Sequence, residues 1–429
     1  MVGFNEAYLR SIDARVPQHS VVVLEEPDII RKRGLAEKAT PFGCLAGIVP
    51  AEYQQAPAFL EVGTAIHQAS GFEAVVPGLE YGVQAAAALA TKFGLPGATE
   101  GAAAILRDKA LLRATTARAG VRNPRWAHAG SAKDIVAFGR GGPVVVKPAN
   151  REASVGVRVL DASGPADAAA AWQATVTARE YGQVPDRELS WHYLVEERLR
   201  GPEYSVEALV RDGEVIFANV TEKAVIPGQL PVELGHCMPA DGGTPGVWSR
   251  CLRTLVDAVE FGTGMLHAEW ILTADGPALV ECAGRCPGDR IADLIDLAYG
   301  TRIRVALIEL LAGRPVTLPR EPLRGSAIRF ITAPSGRVVR VDGVDAALAM
   351  PGVHDVSVRL AAGAEAKPWL SSWDRPGHVL ATGVDASQAR QRAEAAAAAV
   401  RIVTEIGTET GAEIGAEIGA EIGTEGAAR

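Results

Sequence analysis

The sequence predicts an α/β protein built from several domains, and three observations support this prediction. Short apolar runs rich in β-branched residues alternate with amphipathic stretches through residues 1–98, which is typical of βαβ units around a mainly parallel sheet. The chain has 429 residues, roughly two to four times the usual length of a domain. Farther along, strands with alternating apolar residues come in hairpin patterns, which predicts additional α+β modules.

Composition excludes several classes of protein. The residues are 48% hydrophobic, 22% charged and 5% aromatic, and no apolar run approaches the roughly 20 residues that cross a bilayer. The first residues carry charges where a signal peptide needs its apolar segment, so we expect a cytoplasmic protein. The net charge of −8 counts against a nucleic acid partner. The five cysteines are odd in number and unevenly spaced, which favours reduced thiols over disulfides or a zinc site.

The N-terminal βαβ domain is expected over residues 1–98. Its strands are predicted at 21–26, 44–49 and 72–78, alternating with helical patterns. No G-x-G-x-x-G follows the first strand and no G-x-x-x-x-G-K-[ST] occurs in the chain, which excludes the dinucleotide fingerprint and the P-loop. A nucleotide, if the chain uses one, is therefore bound in another way.

Three further segments follow this domain. A central domain is expected over 99–324, with a lid of α+β type at about 127–195, and a C-terminal α+β module is expected over 325–403. Apolar residues at helical spacing predict one helix over 98–120 and one long buried helix over 292–313.

The end of the chain is a repeat of Glu-Ile-Gly-Ala/Thr over residues 405–425. Glycine at every fourth position costs about 1 kcal/mol each in a helix, and the glutamates of a helical repeat would repel one another. We therefore expect disorder over 404–429 and assign no function to this tail.

Lysine is scarce in this chain, so a lysine in a chemically suggestive position attracts interest. Lys147 ends an apolar strand and precedes a polar turn whose backbone N–H groups are further donors to a phosphate. Lys109, on the helix before this strand, is a second candidate for anion binding. The alternative for each is a solvated surface lysine.

Two glutamates lie in apolar strands on either side of a turn. Glu269 and Glu281 are placed symmetrically about the turn at Ala274–Gly276, which predicts antiparallel strands with both carboxylates at the same level. Two neighbouring carboxylates repel unless a cation lies between them, and oxygen ligands suit Mg²⁺. The alternative is an ion pair with Arg285 or Arg290.

These residues belong to motifs that resemble the ATP-grasp superfamily of carboxylate–amine/thiol ligases, and within it the L-amino acid (dipeptide) ligases. The motifs are VVVKP, SVGV, LVEERLRGPEYSVE, HAEWIL and ECAGR, and the resemblance runs from about residue 70 to 400. It implies an ATP-grasp fold with an N-terminal Rossmann-like βαβ domain, a small mobile lid, a central ATP-grasp domain and a C-terminal α+β module. It also implies an ATP site formed by Lys109, Lys147, Ser154, Gly156, Glu196, Glu197, Leu199 and Glu203.

The resemblance further assigns parts of that site. Glu196 and the backbone through Leu199 would hold adenine, Glu203 the ribose hydroxyls, and the loop at Ser154–Val157 would cover the phosphates.

The same resemblance implies the metal ligands and a catalytic arginine. Glu269 and Glu281 would bind Mg²⁺, and Arg285 would stabilise an acyl phosphate. The family usually has Glu-x-Asn-x-Arg, but the asparagine position is Ala283 in this chain, so we expect one firm Mg²⁺ site and an uncertain second one.

The substrate end of the site is predicted from a segment that is similar to one in the dipeptide ligases. Residues 222–236 are expected to form a long irregular loop that lines the substrate, with His236 orienting a carboxylate or amine, or else exposed to solvent. His267 would share a strand face with Glu269 and point to the reaction centre. Arg290, expected one helical turn past Arg285, would grip a substrate carboxylate, or else form a salt bridge to Asp289 or Asp293.

The resemblance implies an ATP-dependent ligase that forms an amide or peptide bond through an acyl phosphate and releases ADP and phosphate. The expected cofactors are ATP and Mg²⁺, and the expected partners are small-molecule carboxylates and amines, without nucleic acid or membrane, a homodimer being allowed. Two alternatives stay open, namely a carboxylase or acid–thiol ligase of the same fold and a nucleotide-binding regulator without turnover.

Overall fold

The computed structural model describes residues 1–161, 164–180, 182–226, 232–240, 242 and 246–405. The repeat beyond residue 405, for which the sequence predicts disorder, lies outside the described residues. Residues 404 and 405 do not follow that prediction, because they end a β-strand. Within the described residues no helix is long and apolar enough to cross a membrane.

The helices and strands alternate along the chain. The helices are α1 (Glu6–Ile12), α2 (Pro27–Lys32), α3 (Leu35–Ala39), α4 (Phe59–Ser70), α5 (Val83–Phe93), α6 (Glu100–Leu106), α7 (Lys109–Arg118), α8 (Ala132–Phe138), α9 (Pro165–Thr177), α10 (Val247–Val259), α11 (Ile291–Tyr299), α12 (Ile303–Leu311), α13 (Val344–Leu348) and α14 (Ala386–Ala399). The strands are β1 (Val21–Glu25), β2 (Leu45–Pro50), β3 (Trp126–Ala129), β4 (Val144–Pro148), β5 (Arg158–Leu160), β6 (Tyr193–Glu197), β7 (Glu203–Arg211), β8 (Glu214–Val225), β9 (Glu233–Met238), β10 (Gly264–Thr273), β11 (Gly276–Ala283), β12 (Gly325–Ile331), β13 (Gly336–Asp342), β14 (Val353–Val358), β15 (Glu365–Ala366), β16 (Gly377–Gly383) and β17 (Arg401–Glu405).

The N-terminal domain contains the parallel pair that the sequence predicts, with β1 beside β2. The strand predicted at 72–78 is wrong, because this segment makes only an isolated bridge between Pro77 and Val2. Proline has no N–H to continue a ladder. Gly78 next to it packs against the backbone, where a Cβ would lie 2.1 Å from the Gly3 carbonyl oxygen.

Two predicted long helices are each divided into two in the structure. The helix expected over 98–120 is α6 and α7, separated at Asp108, whose side chain accepts hydrogen bonds from two N–H groups of the first turn of α7. This is an N-cap, which starts a new helix where a continuous one was expected. The helix expected over 292–313 is α11 and α12, divided at Gly300, which has φ +65°.

A single sheet joins the central domain to the C-terminal module. Its eight strands have the order β11-β10-β7-β8-β9-β12-β16-β14, and β12 pairs with β9 in antiparallel register. The sheet therefore continues across residues 324 and 325, where the sequence suggests a domain boundary. This continuity brings the loop before β16 to the same cavity as β10 and β11.

The lid has a sheet and core of its own. Strands β3, β6, β4 and β5 form a four-stranded sheet, and α8 and α9 pack on it around a small apolar cluster that includes Ile135, Val146, Ala168 and Val195. The cluster makes the lid a separate packing unit.

The two ends of the segment 222–236 are strands, where the sequence predicts an irregular loop. Glu222 and Lys223 belong to β8, and residues 233–236 belong to β9, which pairs with β8. Hairpin pairing between these strands satisfies the backbone groups that an irregular loop would leave to water. Residues 227–231, between the strands, lie outside the described residues.

Candidate functional site

A cavity of about 520 Å³ lies where the N-terminal domain, the lid, the central sheet and the C-terminal module meet. Its walls include the end of β6 and the residues after it, the lid loop at 151–155, the hairpin β10–β11, the segment 285–289 and the turn at 372–375. A cavity of this size and polarity is typical of a small-molecule site.

Lys147 enters the cavity from the end of β4 and is buried. Its Nζ lies 2.6 Å from Glu196 Oε2, and Arg113 Nε lies 3.0 Å from Glu196 Oε1. Burial lowers the pKa of Lys147 against the opposing charge of Glu196. Burial alone would raise the pKa of Glu196, but the charges of Arg113 and Lys147 lower it. The Glu196 carboxylate therefore holds two cations in place. We call residues 196–199, at the end of β6 and directly after it, the hinge.

The hinge after β6 presents its backbone to the cavity. The carboxylate of Glu197 turns to Arg125, whose backbone N–H and Nε both donate to it at 2.9 and 2.8 Å. Leu199 lines the cavity, and its N–H has no backbone acceptor among the described residues. Glu203, at the start of β7, pairs with Lys223 at 2.6 Å. The predicted hinge residues thus all border the cavity, with Leu199 offering a free donor.

The lid loop has a tight turn with left-handed backbone conformations. Ala153, Ser154 and Gly156 have φ of +56°, +58° and +76°. At Gly156 a Cβ would lie 3.0 Å from the Thr175 carbonyl oxygen, so both conformation and space favour glycine. Ser154 borders the cavity, whereas Gly156 lies behind it and shapes the loop.

Lys109 connects the lid loop to the hairpin. It is the first residue of α7, and its Nζ donates to the Arg151 carbonyl oxygen at 2.9 Å and pairs with Glu281 Oε2 at 3.0 Å. The structure therefore brings both predicted lysines to the cavity.

Glu269 and Glu281 face each other across β10 and β11 as the sequence predicts. Neither forms the alternative ion pair with Arg285 or Arg290. Glu269 instead lies 2.8 Å from the Nζ of Lys223, while Glu281 pairs with Lys109. Burial alone would raise the pKa of Glu269, but Lys223 and the neighbouring imidazole of His267 hold it well below its usual range.

The carboxylates of Glu269 and Glu281 are the candidate oxygen ligands for one divalent cation. Both line the cavity, and hard oxygen ligands suit Mg²⁺. The methyl group of Ala283, opposite His267 in the register, supplies no oxygen. Among the residues that the structure describes, no group of three or more His, Cys, Asp or Glu is placed to hold a metal, so Glu269 and Glu281 are a pair of candidate ligands rather than a complete set.

His267 is held between two carboxylates. Its Nδ1 lies 3.0 Å from Glu207 and its Nε2 lies 3.1 Å from Glu269. Although burial alone would lower the pKa of His267, these hydrogen bonds raise it to about 9. The ring is therefore a cation near neutral pH and acts as a support for Glu269, with both nitrogens in use.

Arg285 lies between two glutamates at the centre of the cavity. Its Nε donates to Glu80 at 2.6 Å, and its Nη2 donates to Glu152 of the lid loop at 3.2 Å. Glu80 also accepts from Arg107 at 2.6 Å. Burial alone would raise the pKa of Glu80, but Arg285 and Arg107 lower it to about 2.

Arg290 is the one predicted site residue whose side chain the structure places away from the cavity. The segment after Arg285 is not helical, and Arg290 precedes α11 in a left-handed conformation with φ +61°. Its guanidinium pairs with Asp293 and Asp355, each at 3.0 Å. The expected position one helical turn past Arg285 is therefore wrong, and the structure shows the alternative ion pair with Asp293.

His236 lies buried on β9, so the alternative of an exposed loop histidine is wrong. Its Nε2 lies 3.1 Å from Asp289. Arg375, from the C-terminal module, pairs with Asp289 through both terminal nitrogens and packs over Phe330 with its Cζ 3.6 Å from the ring centre. Burial alone would raise the pKa of Asp289, but Arg375 and His236 lower it.

Several cavity residues escape prediction from the sequence. They are charged residues that pair with a predicted residue or with its partner, and they are Glu80, Arg113, Glu152, Asp289 and Arg375. Lys223 lies in the segment 222–236 that the sequence predicts at the substrate, but its pairing with Glu203 and Glu269 was not expected. The others are contributed by separate elements, and nothing in their local sequence marks them.

Comparisons with known proteins agree with this geometry. The ATP-grasp domain profile matches residues 141–293, and the profile of L-amino acid ligase C-terminal domain 2 matches residues 329–405. The structure is similar to the crystal structure of the L-amino acid ligase from Bacillus licheniformis, with a TM-score of 0.76, 17% identity, and coverage of 94% of this chain and 98% of that chain.

Two curated relatives match part of the chain. The uncharacterized protein y4rH of Sinorhizobium fredii is 29% identical over 312 residues, which is 69% of this chain and 61% of the relative. Carnosine synthase 1 of Gallus gallus is 29% identical over 219 residues, which is 48% of this chain and 23% of the relative. The match thus spans less than two thirds of the length of each. By its domain profiles, the chain contains an ATP-grasp domain and an L-amino acid ligase C-terminal domain 2, and its fold resembles that of an L-amino acid ligase.

Proposed function

We propose that the chain forms an amide or peptide bond between a carboxylate and an amine through an acyl phosphate. The carboxylate would come from an amino acid or another small acid, and the amine from an amino acid or another small amine. ADP and phosphate are the other products. The observation that carries this proposal is that one cavity collects three cations. Lys147, Lys109 and Arg285 all line it, together with Leu199 after β6 and Arg375 of the C-terminal module, so that phosphate and acyl groups bound there would meet cations.

The nucleotide end of the cavity suits ATP. The free N–H of Leu199 is a donor for an adenine ring nitrogen, and Glu203 is an acceptor for ribose hydroxyls. Lys147 and Lys109 line the same cavity, where they would bind the phosphates. The left-handed turn at Ser154 would cover these phosphates from the lid side.

Glu269 and Glu281 are the residues that would hold Mg²⁺. An Mg²⁺ ion bound there would neutralise negative charge on the phosphate oxygens. Lys223 and His267 keep Glu269 ionised and oriented. We propose one firm Mg²⁺ site, because Ala283 offers no oxygen for a second.

Other side chains would position the reacting groups. Arg285 would bind the acyl phosphate, since its guanidinium lines the cavity beside the lid loop, 3.2 Å from Glu152. His236, oriented by Asp289 and Arg375, would orient a substrate carboxylate or amine. Burial in this dry part of the cavity strengthens each of these polar contacts.

A phosphate-release screen tests the proposal. The protein is incubated with ATP, Mg²⁺ and each L-amino acid alone and in pairs, and products are identified by mass spectrometry. We expect particular amino acids to stimulate release of ADP and phosphate together with a dipeptide. ATP binding without turnover under every condition would instead support the regulator, and stimulation by bicarbonate or by a thiol acceptor would support the carboxylase or acid–thiol ligase.

A further inference from the structure

Glu152 is an unusual residue of the lid loop because it brings a carboxylate into the cavity, next to side chains that are predicted to bind phosphate. Its side chain is largely buried and lines the cavity. In the described part of the chain, the one donor to its carboxylate is Nη2 of Arg285, at 3.2 Å. The resemblance to known ligases assigns Glu152 no role.

The two carboxylates on Arg285 are held very differently. Glu80 has a second cation, Arg107, and hydrogen bonds at 2.6 Å to both arginines. Glu152 shares Arg285 only and lies on the lid loop. An anion that arrives at Arg285 would therefore displace Glu152 and leave Glu80 in place.

The surroundings of Glu152 favour its protonated form. The groups that face it are the cations Arg285 and Arg107, the carboxylates Glu80 and Glu180, and the phenol of Tyr81. Burial, followed by the charges of Glu80 and Glu180, raises the pKa of Glu152 to about 7 in spite of Arg285. Glu80, on the same guanidinium, has a pKa of about 2. Titratable neighbours whose environments separate them in this way are typical of acid and base roles.

The proposed reaction needs a proton acceptor. An amino group with a pKa of about 8 is mostly protonated near neutral pH, and it must lose a proton before it attacks. Resting on the proposed function, we propose that Glu152, once the acyl phosphate takes its place on Arg285, accepts this proton from the amine substrate. Because Glu152 starts within hydrogen-bond distance of Arg285, a short displacement would leave its carboxylate beside the acyl group that the amine attacks.

The proton and electron balance of the step is complete. One proton moves from the ammonium group to the Glu152 carboxylate. The amine lone pair then forms the C–N bond, and the bond between the acyl carbon and the phosphate oxygen breaks, with its electron pair leaving on phosphate. The second nitrogen proton leaves with that phosphate, and Glu152 returns its proton to solvent when the lid opens.

Comparison of two nucleophiles tests this role. Wild type and Glu152→Gln receive ATP, Mg²⁺ and an equimolar mixture of the twenty L-amino acids, with or without hydroxylamine, which is a free base at neutral pH and needs no proton acceptor. We expect the variant to lose about 100-fold in the rate of dipeptide formation, while the rate of hydroxamate formation stays within a few-fold of wild type. The rate of dipeptide formation by wild type should also rise with pH through about 7, and Glu152→Gln should lack this rise.

Further variants separate the outcomes. Glu188→Gln, the same change at an exposed lid position, should match wild type with both nucleophiles, and Glu152→Asp, which keeps a carboxylate, should recover part of the dipeptide rate. Unchanged dipeptide formation by Glu152→Gln would overturn the proposal, as would an equal loss with both nucleophiles, which would indicate a role in ATP or acyl phosphate binding. Absence of hydroxamate with wild type would overturn the proposed function itself.

Discussion

At the scale of single residues, the cavity is organised by exchangeable ion pairs. Lys109, Lys147 and Lys223 each pair with a glutamate at 3.0 Å or less. A buried charge without a partner is costly, so these cations need an internal anion until a ligand arrives. Ligand binding would then replace one anion by another, which costs less than removing a hydrated charge from water.

Replacement of Lys147 by alanine should nearly abolish turnover and weaken ATP binding. Glu196 keeps Arg113 as its partner, so the buried carboxylate stays compensated, and we expect a loss of about 1–3 kcal/mol in unfolding free energy rather than loss of the fold. Titration with an ATP analogue and thermal melting measure the two effects. Lys133→Ala, an exposed lid position, is the control and should bind normally. Unchanged affinity and rate in the Lys147 variant would remove this lysine from the site.

Replacement of Glu281 by glutamine should raise the Mg²⁺ concentration needed for half-maximal activity steeply. The variant removes one of two carboxylates from the pair with Glu269. The structure predicts no gain in stability from relief of repulsion, because Lys109 and Lys223 already compensate the two charges. Activity and melting temperature across an Mg²⁺ titration check both points, and normal turnover at low Mg²⁺ would argue against these ligands.

The pH dependence of stability should contain a contribution from Glu152. Its pKa is raised in the folded chain to about 7 from 4.5, so the folded state binds the proton more tightly than the unfolded state. The stability from this proton is complete below about pH 4.5 and is lost as pH rises through about 7, a decline of about 3 kcal/mol. Denaturant unfolding of wild type should show this decline, and Glu152→Gln should lack it. If the unfolding free energies of wild type and Glu152→Gln changed with pH in the same way, the prediction would be contradicted.

At the scale of elements, the lid loop is held by the same cations that a ligand would use. Lys109 binds the Arg151 carbonyl oxygen, Arg107 binds that of Asn150, and Arg285 binds Glu152. The loop is thus held by a few polar contacts, whereas the lid sheet is held by an apolar core of its own. The loop is therefore the element whose order should respond to nucleotide.

Hydrogen exchange should report this response. Binding of a nonhydrolysable ATP analogue should slow exchange in residues 149–157, because phosphate oxygens would accept hydrogen bonds from their amides. Helix α14 in the C-terminal module is the internal control and should exchange at the same rate with and without nucleotide. An amide exchange rate in the loop that is the same with and without the analogue would contradict a nucleotide-covering role.

At the scale of the whole molecule, the C-terminal module is part of the main sheet and of the cavity. Strands β12 and β16 continue the sheet from β9, and Arg375 holds Asp289. Domain boundaries drawn at residue 324 would therefore separate strands that pair with each other.

Two truncations should behave in opposite ways. Deletion of 325–429 should abolish activity and leave an insoluble or unfolded chain, because it exposes the edge of β9 and the rest of the apolar cluster from which Ile328, Phe330 and Leu380 are removed. Deletion of 406–429 should leave activity and melting temperature nearly unchanged, since the repeat lacks the apolar periodicity needed to pack on a core. Solubility, melting temperature and phosphate release of the two proteins check the contrast, which a stable 1–324 fragment would disprove.

The sequence by itself determined the features that depend on local pattern. The register of Glu269 with Glu281, the strand position of Lys147 and the βαβ start of the chain all follow from alternation and turn residues, because side-chain direction in a strand has a period of two. Local pattern was less reliable where a cap or a proline interrupts it, as Asp108 and Pro77 show.

Only the tertiary structure decided which charges meet. Arg285 binds Glu80 and Glu152, and Asp289 binds Arg375, across separations of 205, 133 and 86 residues. No periodicity in the chain encodes such distant pairs, because they arise when separate elements pack against one another and buried charges take the nearest partner. The same packing placed the Arg290 side chain outside the cavity, in ion pairs with Asp293 and Asp355, whereas its expected position one helical turn past Arg285 suggested a place inside it.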